Sequence, residues 1–367
     1  MTAIDEGEMP YHVVLNRPTD LAGFTKEAQL GLSPRHSMAE LSRLLDAKIH
    51  DGAGLTPSLS DILLGKLSRT SPLWWTIARS LRKKVVSGDV IFCTGEDIAA
   101  PVAALCGNMP QVGLAVMAHS VDSRKKRLAL QAFRMKSRVD LFFTVAEPQA
   151  AFLREFLNLS SRRVKFVWDQ TDTRFFTPGA ASPKKTRPCI VSVGLERRDY
   201  TTLAKATSDL DIDVCISGFS SDTRSASRAF PDQLPANMTR RFYSWPDLLQ
   251  LYRNADVVVV SLFPNSYAAG VQGLMEGLAC GRPIVATETK GLEKYLKAPG
   301  KIVTVEPGNA SGMRSAIIKL LEDHDERERL SERGAMLAAE RHQLERYVNE
   351  IAASLRELAA GLDAPAK

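Results

Sequence analysis

Short apolar runs, many β-branched throughout, alternate along this chain with longer stretches of helical spacing, and that alternation limits what it can fold into. The first half offers YHVVLNR (11–17), GDVIFCTG (88–95), VGLAVMAHS (112–120), VDLFFTVA (139–146) and RVKFVWD (163–169). The second offers PCIVSVG (188–194), IDVCISG (212–218), ADVVVVSL (255–262), PIVATE (283–288) and KIVTVEPG (301–308). Runs that do not alternate polar with apolar suit strands covered on both faces, and the intervening helices supply the cover, so parallel sheets follow. At 367 residues the chain is too long for one ordinary core. The stretch TPGAASPKKTRP (177–188) has the composition of a linker. The expectation is therefore an α/β protein of two doubly wound, Rossmann-like domains, residues 1–176 and 189–342, facing each other across a cleft. A closing helix over 343–367 could return to the first domain. Ligands of such sheets bind beyond the carboxyl ends of the strands, which places the chemistry in that cleft.

The stretch YAAGVQGLMEGLACGRPIVATETKG (267–291) sets one carboxylate, Glu276, among glycines in an apolar helix. Taken as helical from about Ala269, it puts Val271, Leu274, Met275, Leu278 and Ala279 on one buried face, with Gln272 and Glu276 together off that face. Gly270, Gly273 and Gly277 cost a helix about 1 kcal/mol each relative to Ala, a cost that close approach of a ligand or a neighbouring element would explain. The helix start at NSYAAG offers free N–H groups and a positive dipole end, which suit a phosphate. A carboxylate further along suits the hydroxyls of a ribose. The plainer alternative is a solvated Glu276 and a helix stop at Gly281-Arg282-Pro283.

The run EGLACGRPIVATETKGLEKYL (276–296) resembles the donor-site signature of the retaining nucleotide-sugar glycosyltransferases of family 4. LLQLYRNADVVVVSLFPNS (248–266) is similar to that family's lead-in, and RRVKFVWDQTDTRFFTP (162–178) to its interdomain segment, with Asp172, Phe176 and Pro178 in place. The closing helices from Ala316 to Ile351 also look like the family's, so the resemblance covers roughly residues 139–355. It implies the GT-B fold, with the donor nucleotide on the carboxyl-terminal domain and the acceptor on the other. It further implies that Glu276 binds ribose as the second Glu of a Glu-seven-residues-Glu motif. The first Glu falls on Ala268, a departure that Asn265, Ser266 or Tyr267 could offset, or that could change the sugar or silence the enzyme. Arg198 aligns with the phosphate-binding Lys, and Arg197 stands in for its Arg partner; two guanidiniums would neutralise a diphosphate and the charge on the leaving nucleotide. Gly194 and Gly218 end their strands where a nucleotide would approach, although both also make ordinary turns. His119, at the end of an apolar strand, resembles the family His that contacts the donor sugar. The donor-binding set is thus Gly194, Arg197, Arg198, Gly218, Asn265, Tyr267, Gly270, Val271, Gln272 and Glu276, with His119 and Arg198 catalytic.

No metal and no cofactor beyond the nucleotide-sugar co-substrate is expected. The Asp-rich DLDID (209–213) precedes a strand and suits a polar turn, while TGEDIAAP and GFSSD lack the Gly-Lys-Ser/Thr ending of a phosphate loop. No GxGxxG follows the first strand, which argues against an NAD enzyme. Five dispersed cysteines without a CxxC pair fit buried thiols of a reducing compartment. With no secretory signal in MTAIDEGEMPYHVV, a cytoplasmic protein is expected. The net charge of +6 concentrates in RSLRKK (79–84) and SRKKRLALQAFRMKSR (123–138). These are either solvated faces or a patch for an anionic membrane or acceptor, with Trp74 and Trp75 as interfacial aromatics. Nucleic acid is not expected, because aromatics do not interleave with the basic residues. The partners expected are a nucleotide-sugar donor and a carbohydrate, lipid-linked or small-molecule acceptor. A sugar-nucleotide 2-epimerase and a non-catalytic pseudo-transferase are the rival readings.

Overall fold

A computed structural model describes residues 11–218, 229–297 and 300–362; the first ten residues, weighed above for a signal, and most of GFSSD lie outside them. The described residues form two compact units. One comprises residues 36–167 with the segments 11–25 and 348–362, the other residues 168–347 with the segment 26–35.

In the first unit, β1 (Tyr11–Val14), β2 (Lys48–His50), β3 (Val90–Cys93), β4 (Gly113–Met117), β5 (Leu141–Thr144) and β6 (Val164–Phe166) form a sheet in the order β2-β1-β3-β4-β5-β6. In the second, β7 (Cys189–Val193), β8 (Asp213–Ser217), β9 (Met238–Arg240), β10 (Val257–Val260), β11 (Ile284–Thr287) and β12 (Val303–Val305) form one in the order β12-β11-β10-β7-β8-β9. Every pairing is parallel. All ten apolar runs contain a strand, and the inner strands β1, β3, β4, β5, β10 and β11 are buried along their whole length. Helices bury their apolar stripes on these sheets. Ile98, Val102 and Leu153 meet Ile91, Val116 and Phe142 in one core, and Leu203, Ile317 and Leu320 meet Val214, Val257 and Val285 in the other.

The Pro- and Gly-rich stretch 177–188 lies within the second unit, tied down along its backbone. Arg253 Nε donates to Thr177 O at 3.2 Å, Arg282 Nη2 to Gly179 O at 2.8 Å, and Ser182 N to Asn254 Oδ1 at 2.7 Å. The contact boundaries fall instead at Val167–Trp168 and at Tyr347–Val348, inside the last helix, Leu344–Leu362. Past that point Ser354 Oγ and Glu357 Oε2 accept from Lys165 Nζ at 2.9 and 2.8 Å, and Leu358 packs on Gly113. Each aspartate of DLDID pairs with an arginine, Asp209 with Arg314 and both Asp211 and Asp213 with Arg187.

The tryptophans correct the sequence reading. Trp75 is 5% exposed and its indole N–H donates to Thr70 Oγ1 at 2.9 Å; Trp74 is half-buried, with its N–H on Asn16 O at 2.7 Å. Their apolar bodies pack inward, so neither is an interfacial anchor.

In the second unit His342 lies against the rings of Trp168 and Tyr295, its Nδ1 3.0 Å from Asp169 O. Burial, with Arg346 and Arg341 nearby, pushes its imidazole down to about 4. An unfolded His titrates near 6.5, so the unfolded chain binds the extra proton between those values and stability falls as pH drops from 6.5 to 4. The His342→Gln variant should lose about 3 kcal/mol less than wild type between pH 7 and pH 4 in chemical denaturation. Equal acid slopes would contradict the neutral buried imidazole.

Candidate functional site

The second sheet changes its direction of growth between β7 and β10, and the loops leaving those strands are joined there. Arg198 forms an isolated antiparallel bridge with Leu262. Phe263 N donates to Arg197 O at 2.9 Å, Asp199 N to Ser261 O at 3.0 Å, and Ser261 Oγ to Asp199 O at 2.7 Å.

Two glycines let Arg198 sink into this junction. Gly194 follows β7 with φ +102°, and a Cβ there would collide with Arg198 Nη2. Gly270 has φ +87°, and a Cβ would stand 2.8 Å from Val260 Cγ1 and 3.1 Å from Arg198 Nη1. Arg198 is consequently 3% exposed. Its Nε and Nη2 donate to Val193 O at 2.9 and 2.5 Å, and Nη1 to Glu196 O at 3.1 Å. Among the described residues no carboxylate lies within ion-pair distance of it. A buried guanidinium that donates to backbone carbonyls and has no ion-paired carboxylate carries charge that an anion would relieve.

Gly270 also caps the helix Val271–Ala279, whose start has no side-chain cap, so first-turn N–H groups and the positive dipole end face the same junction. Glu276 lies further along this helix, 7% exposed, accepting a 2.7 Å hydrogen bond from Tyr252 OH. Burial pushes its carboxyl up to about 7, while Tyr252 and the charge of Arg198 pull the other way. Gln272 is exposed and Glu276 is buried, so of the two expected together off the buried face only Gln272 lies off it. The helix packs on β10, β11 and the helix His324–Arg341 together, which buries every residue from Gly273 to Ala279.

The structure thus brings together Gly194, Arg198, Gly270, Val271 and Glu276. Gly218 stands beside them at the end of β8, its carbonyl accepting from Arg240 Nε and Nη2 at 3.1 and 2.8 Å, and Gly194 N donates to Ser217 O at 2.8 Å. Arg197 is exposed with φ +54°. Tyr267 OH donates to the Glu196 carboxylate; burial, reinforced by Glu196, pushes its phenol up to about 12. Asn265 donates from Nδ2 to Phe263 O at 2.9 Å, and its buried Oδ1 has no partner among the described residues, nor does Thr289 Oγ1. Gly291 N donates to Asn265 O at 3.2 Å, joining the loops after β10 and β11.

His119 belongs to the first unit and is exposed two residues beyond β4. Its N–H donates to Glu96 Oε2 at 3.0 Å, and its ring Nε2 is 3.1 Å from Thr94 O. At the switch point of this sheet, between β1 and β3, lies a cavity of about 360 Å³ lined by Asn16, Arg17, Asp20, Phe24, His36 and Thr94.

Sequence reasoning missed Tyr252 and Glu196 as site residues. Tyr252 had a signal: a buried Glu and a Tyr on the core face of an amphipathic helix each need a polar partner. Glu196 had none, because its role depends on how the loop after β7 folds.

Residues 198–323 match the family described as glycosyl transferases group 1. The chain is 28% identical over 151 residues to the lipopolysaccharide core biosynthesis glycosyltransferase LpsE of Rhizobium meliloti, covering 40% of this chain and 43% of that protein. It is 33% identical over 120 residues to the D-inositol 3-phosphate glycosyltransferase of Paenarthrobacter aurescens, covering 33% and 28%. The matches therefore span less than half the length of these curated relatives. Anabaena HepE, solved in complex with UDP-glucose, superposes with a TM-score of 0.68 at 13% identity, covering 95% of this chain and 99% of that one. The fold is GT-B.

Proposed function

We propose that this chain, which carries a group 1 glycosyl transferase segment in a GT-B fold, moves a sugar from a nucleotide-diphosphate sugar to an acceptor hydroxyl. The observation that carries the reading is Arg198, a buried cation without a carboxylate partner, set at a topological switch point beside an uncapped helix start and a buried glutamate. Arg198 and the first-turn N–H groups would hold the diphosphate and take up the charge that develops on it as the sugar leaves. That positive charge comes from the protein, so we assign no metal to the step. Glu276 would accept hydrogen bonds from the ribose hydroxyls. Transfer with retention follows if the acceptor hydroxyl attacks on the face the phosphate leaves: the anomeric C–O bond to phosphate breaks, the new C–O bond forms, and the hydroxyl proton passes to the departing phosphate oxygen. No carboxylate base is then needed. His119 is assigned to the donor sugar, and Glu196, tethered to the neighbour of Ala268, is the carboxylate this chain offers where the family carries a glutamate.

The acceptor would be a carbohydrate or lipid-linked hydroxyl in polysaccharide or glycolipid synthesis, met from a cytoplasmic pool at an anionic membrane face. Among the described residues no helix is long and apolar enough to cross a membrane. Ala268 favours one second reading, a pseudo-transferase that binds donor without turnover.

Calorimetric titration with UDP, GDP and ADP, each beside its nucleoside, tests the proposal. One diphosphate should bind at least tenfold more tightly than its nucleoside, since charge-assisted bonds to the phosphates contribute about 1.5 kcal/mol or more. The matching nucleotide sugars should then release sugar slowly in the absence of acceptor. Binding without any release selects the pseudo-transferase, and no binding to any diphosphate refutes both readings.

A further inference from the structure

The helix Leu59–Ser68 is folded with its apolar side outward. The residues it buries are Asp61 and Gly65. Asp61 takes hydrogen bonds from Ser58 N, Ser58 Oγ, Thr76 Oγ1 and the Arg79 guanidinium, and Gly65 packs so close to Pro72 that a Cβ would stand 3.0 Å from its ring. Leu59, Ile62, Leu63 and Leu67, at the i, i+3, i+4, i+8 spacing of one helix face, are 87%, 36%, 58% and 74% exposed. Ordinary amphipathic helices do the reverse, and an exposed apolar stripe of this size marks a surface that meets something.

That stripe borders a groove of about 650 Å³ in the first unit, lined by Leu64, Leu67, Trp75, Leu128 and Phe133. The far wall is the helix Arg124–Ala132, where Leu128 is 67% exposed. The acids in the groove are already engaged, Glu96 and Asp97 by Lys126. Arg69 and Lys125 line the groove, and Lys66 and Arg124 lie on the two helices that wall it; all four are exposed and have no acidic partner among the described residues.

We propose that this face docks on a bilayer containing anionic phospholipid. The Leu59–Ser68 stripe and Leu128 enter the acyl boundary, an acyl chain occupies the groove, and the four cations meet lipid phosphates. Charge complementarity selects this occupant: an apolar centre flanked by uncompensated cations matches an interface that is apolar inside and anionic at its headgroups. A second copy of the chain would set cation against cation. The inference deepens the reading of a membrane-facing enzyme, and its test involves neither donor nor turnover.

Flotation of the full chain with phosphatidylcholine–phosphatidylglycerol vesicles, against pure phosphatidylcholine, reads it directly. Binding should require the anionic lipid and weaken as salt rises. Arg124→Glu with Lys125→Glu, at a helix start where acids are tolerated, should lower partitioning by about tenfold or more, and Leu63→Glu with Leu67→Glu by a similar factor. Unchanged nucleotide affinity and circular dichroism would show that both variants fold, so that failure at the membrane and failure at the donor site stay distinct. Three results overturn the proposal: no vesicle binding by the wild type, equal binding to neutral vesicles, or a dimer in sedimentation velocity that the leucine variant dissolves.

Discussion

At pH 8 the Glu276→Gln protein should melt later than wild type and yet bind nucleoside diphosphate less well. The gain in stability follows from where the carboxylate sits. A free Glu titrates near 4.5, and burial of Glu276 moves it up to about 7. The folded state therefore holds a proton that the unfolded chain has lost between those values, and stability declines as pH rises through that window. Above it the cost of the buried charge is complete, about 3 kcal/mol for a displacement of this size. Gln is nearly isosteric and still accepts the hydrogen bond from Tyr252, so it removes the cost and keeps the packing. The variant should equal wild type near pH 4 and exceed it by about 3 kcal/mol at pH 8. Binding should move the other way. Ribose hydroxyls donate better to a carboxylate than to an amide, so the diphosphate of choice should lose about 1–3 kcal/mol. Wild-type affinity should also rise between pH 6 and pH 8 as Glu276 ionises, and the Gln variant should lack that dependence. A stability difference that does not change with pH would deny the raised carboxyl. An unchanged affinity would remove Glu276 from the ribose site.

That opposition, a group that weakens the fold and strengthens the ligand, is what makes some parts of the molecule legible from sequence and others not. Ten strands were readable because parallel strands covered on both faces must be apolar at successive positions, as in VVVV of β10. The two that were not, β2 (KIH) and β9 (MTR), each lie at one edge of a sheet, are three residues long and carry one apolar residue between polar or charged ones or ahead of them, so no apolar run marks them; the opposite edges, β6 (VKF) and β12 (VTV), keep enough apolar residues to be read. In the site, Glu276 stood out because a lone carboxylate amid an apolar helix conflicts with the rule governing its neighbours. Arg198 was found through alignment with a motif, but its burial was not visible: that requires Gly194 and Gly270, remote in sequence, to vacate the same space. The outward-facing leucines of Leu59–Ser68 are indistinguishable in sequence from a core stripe, because only the folded chain shows that Asp61 is the inward side.

Asp172 shows the same limit on a larger scale, and its removal should be among the most destabilising single changes in the second unit. The residue was legible as a motif position, yet its partner lies 137 residues upstream, in a stretch that resembles no known motif. Arg35 donates to its carboxylate from the backbone N at 2.8 Å, from Nε at 3.1 and 3.2 Å, and from Nη2 at 2.5 Å, while Nη1 reaches Glu345 Oε1 at 2.7 Å. Arg174 N adds a bond at 3.1 Å. The Asp172 side chain is 3% exposed and that of Arg35 17%. Burial alone would raise the Asp172 carboxyl, but the hydrogen bonds and charge of Arg35 hold it below the usual carboxylate range. The linkage sign is that of a depressed acid: its contribution is complete above the unfolded value near 4 and is lost only as pH falls through the lower folded one. From pH 6 to pH 8, Asp172→Ala should therefore cost about 3–5 kcal/mol, independent of pH, because it removes the bidentate partner of a largely buried guanidinium and leaves it Glu345 alone. Arg35→Ala strands the carboxylate and should cost a similar amount, and Arg35→Lys should rescue little, since an ammonium cannot bridge Asp172 and Glu345 with the same fork. In the double variant nothing is stranded, so its loss should fall about 2 kcal/mol or more short of the sum of the singles. Additive losses in chemical denaturation would mean that the pair contributes no coupling, and that the segment 26–35 is held to the second unit by its other contacts.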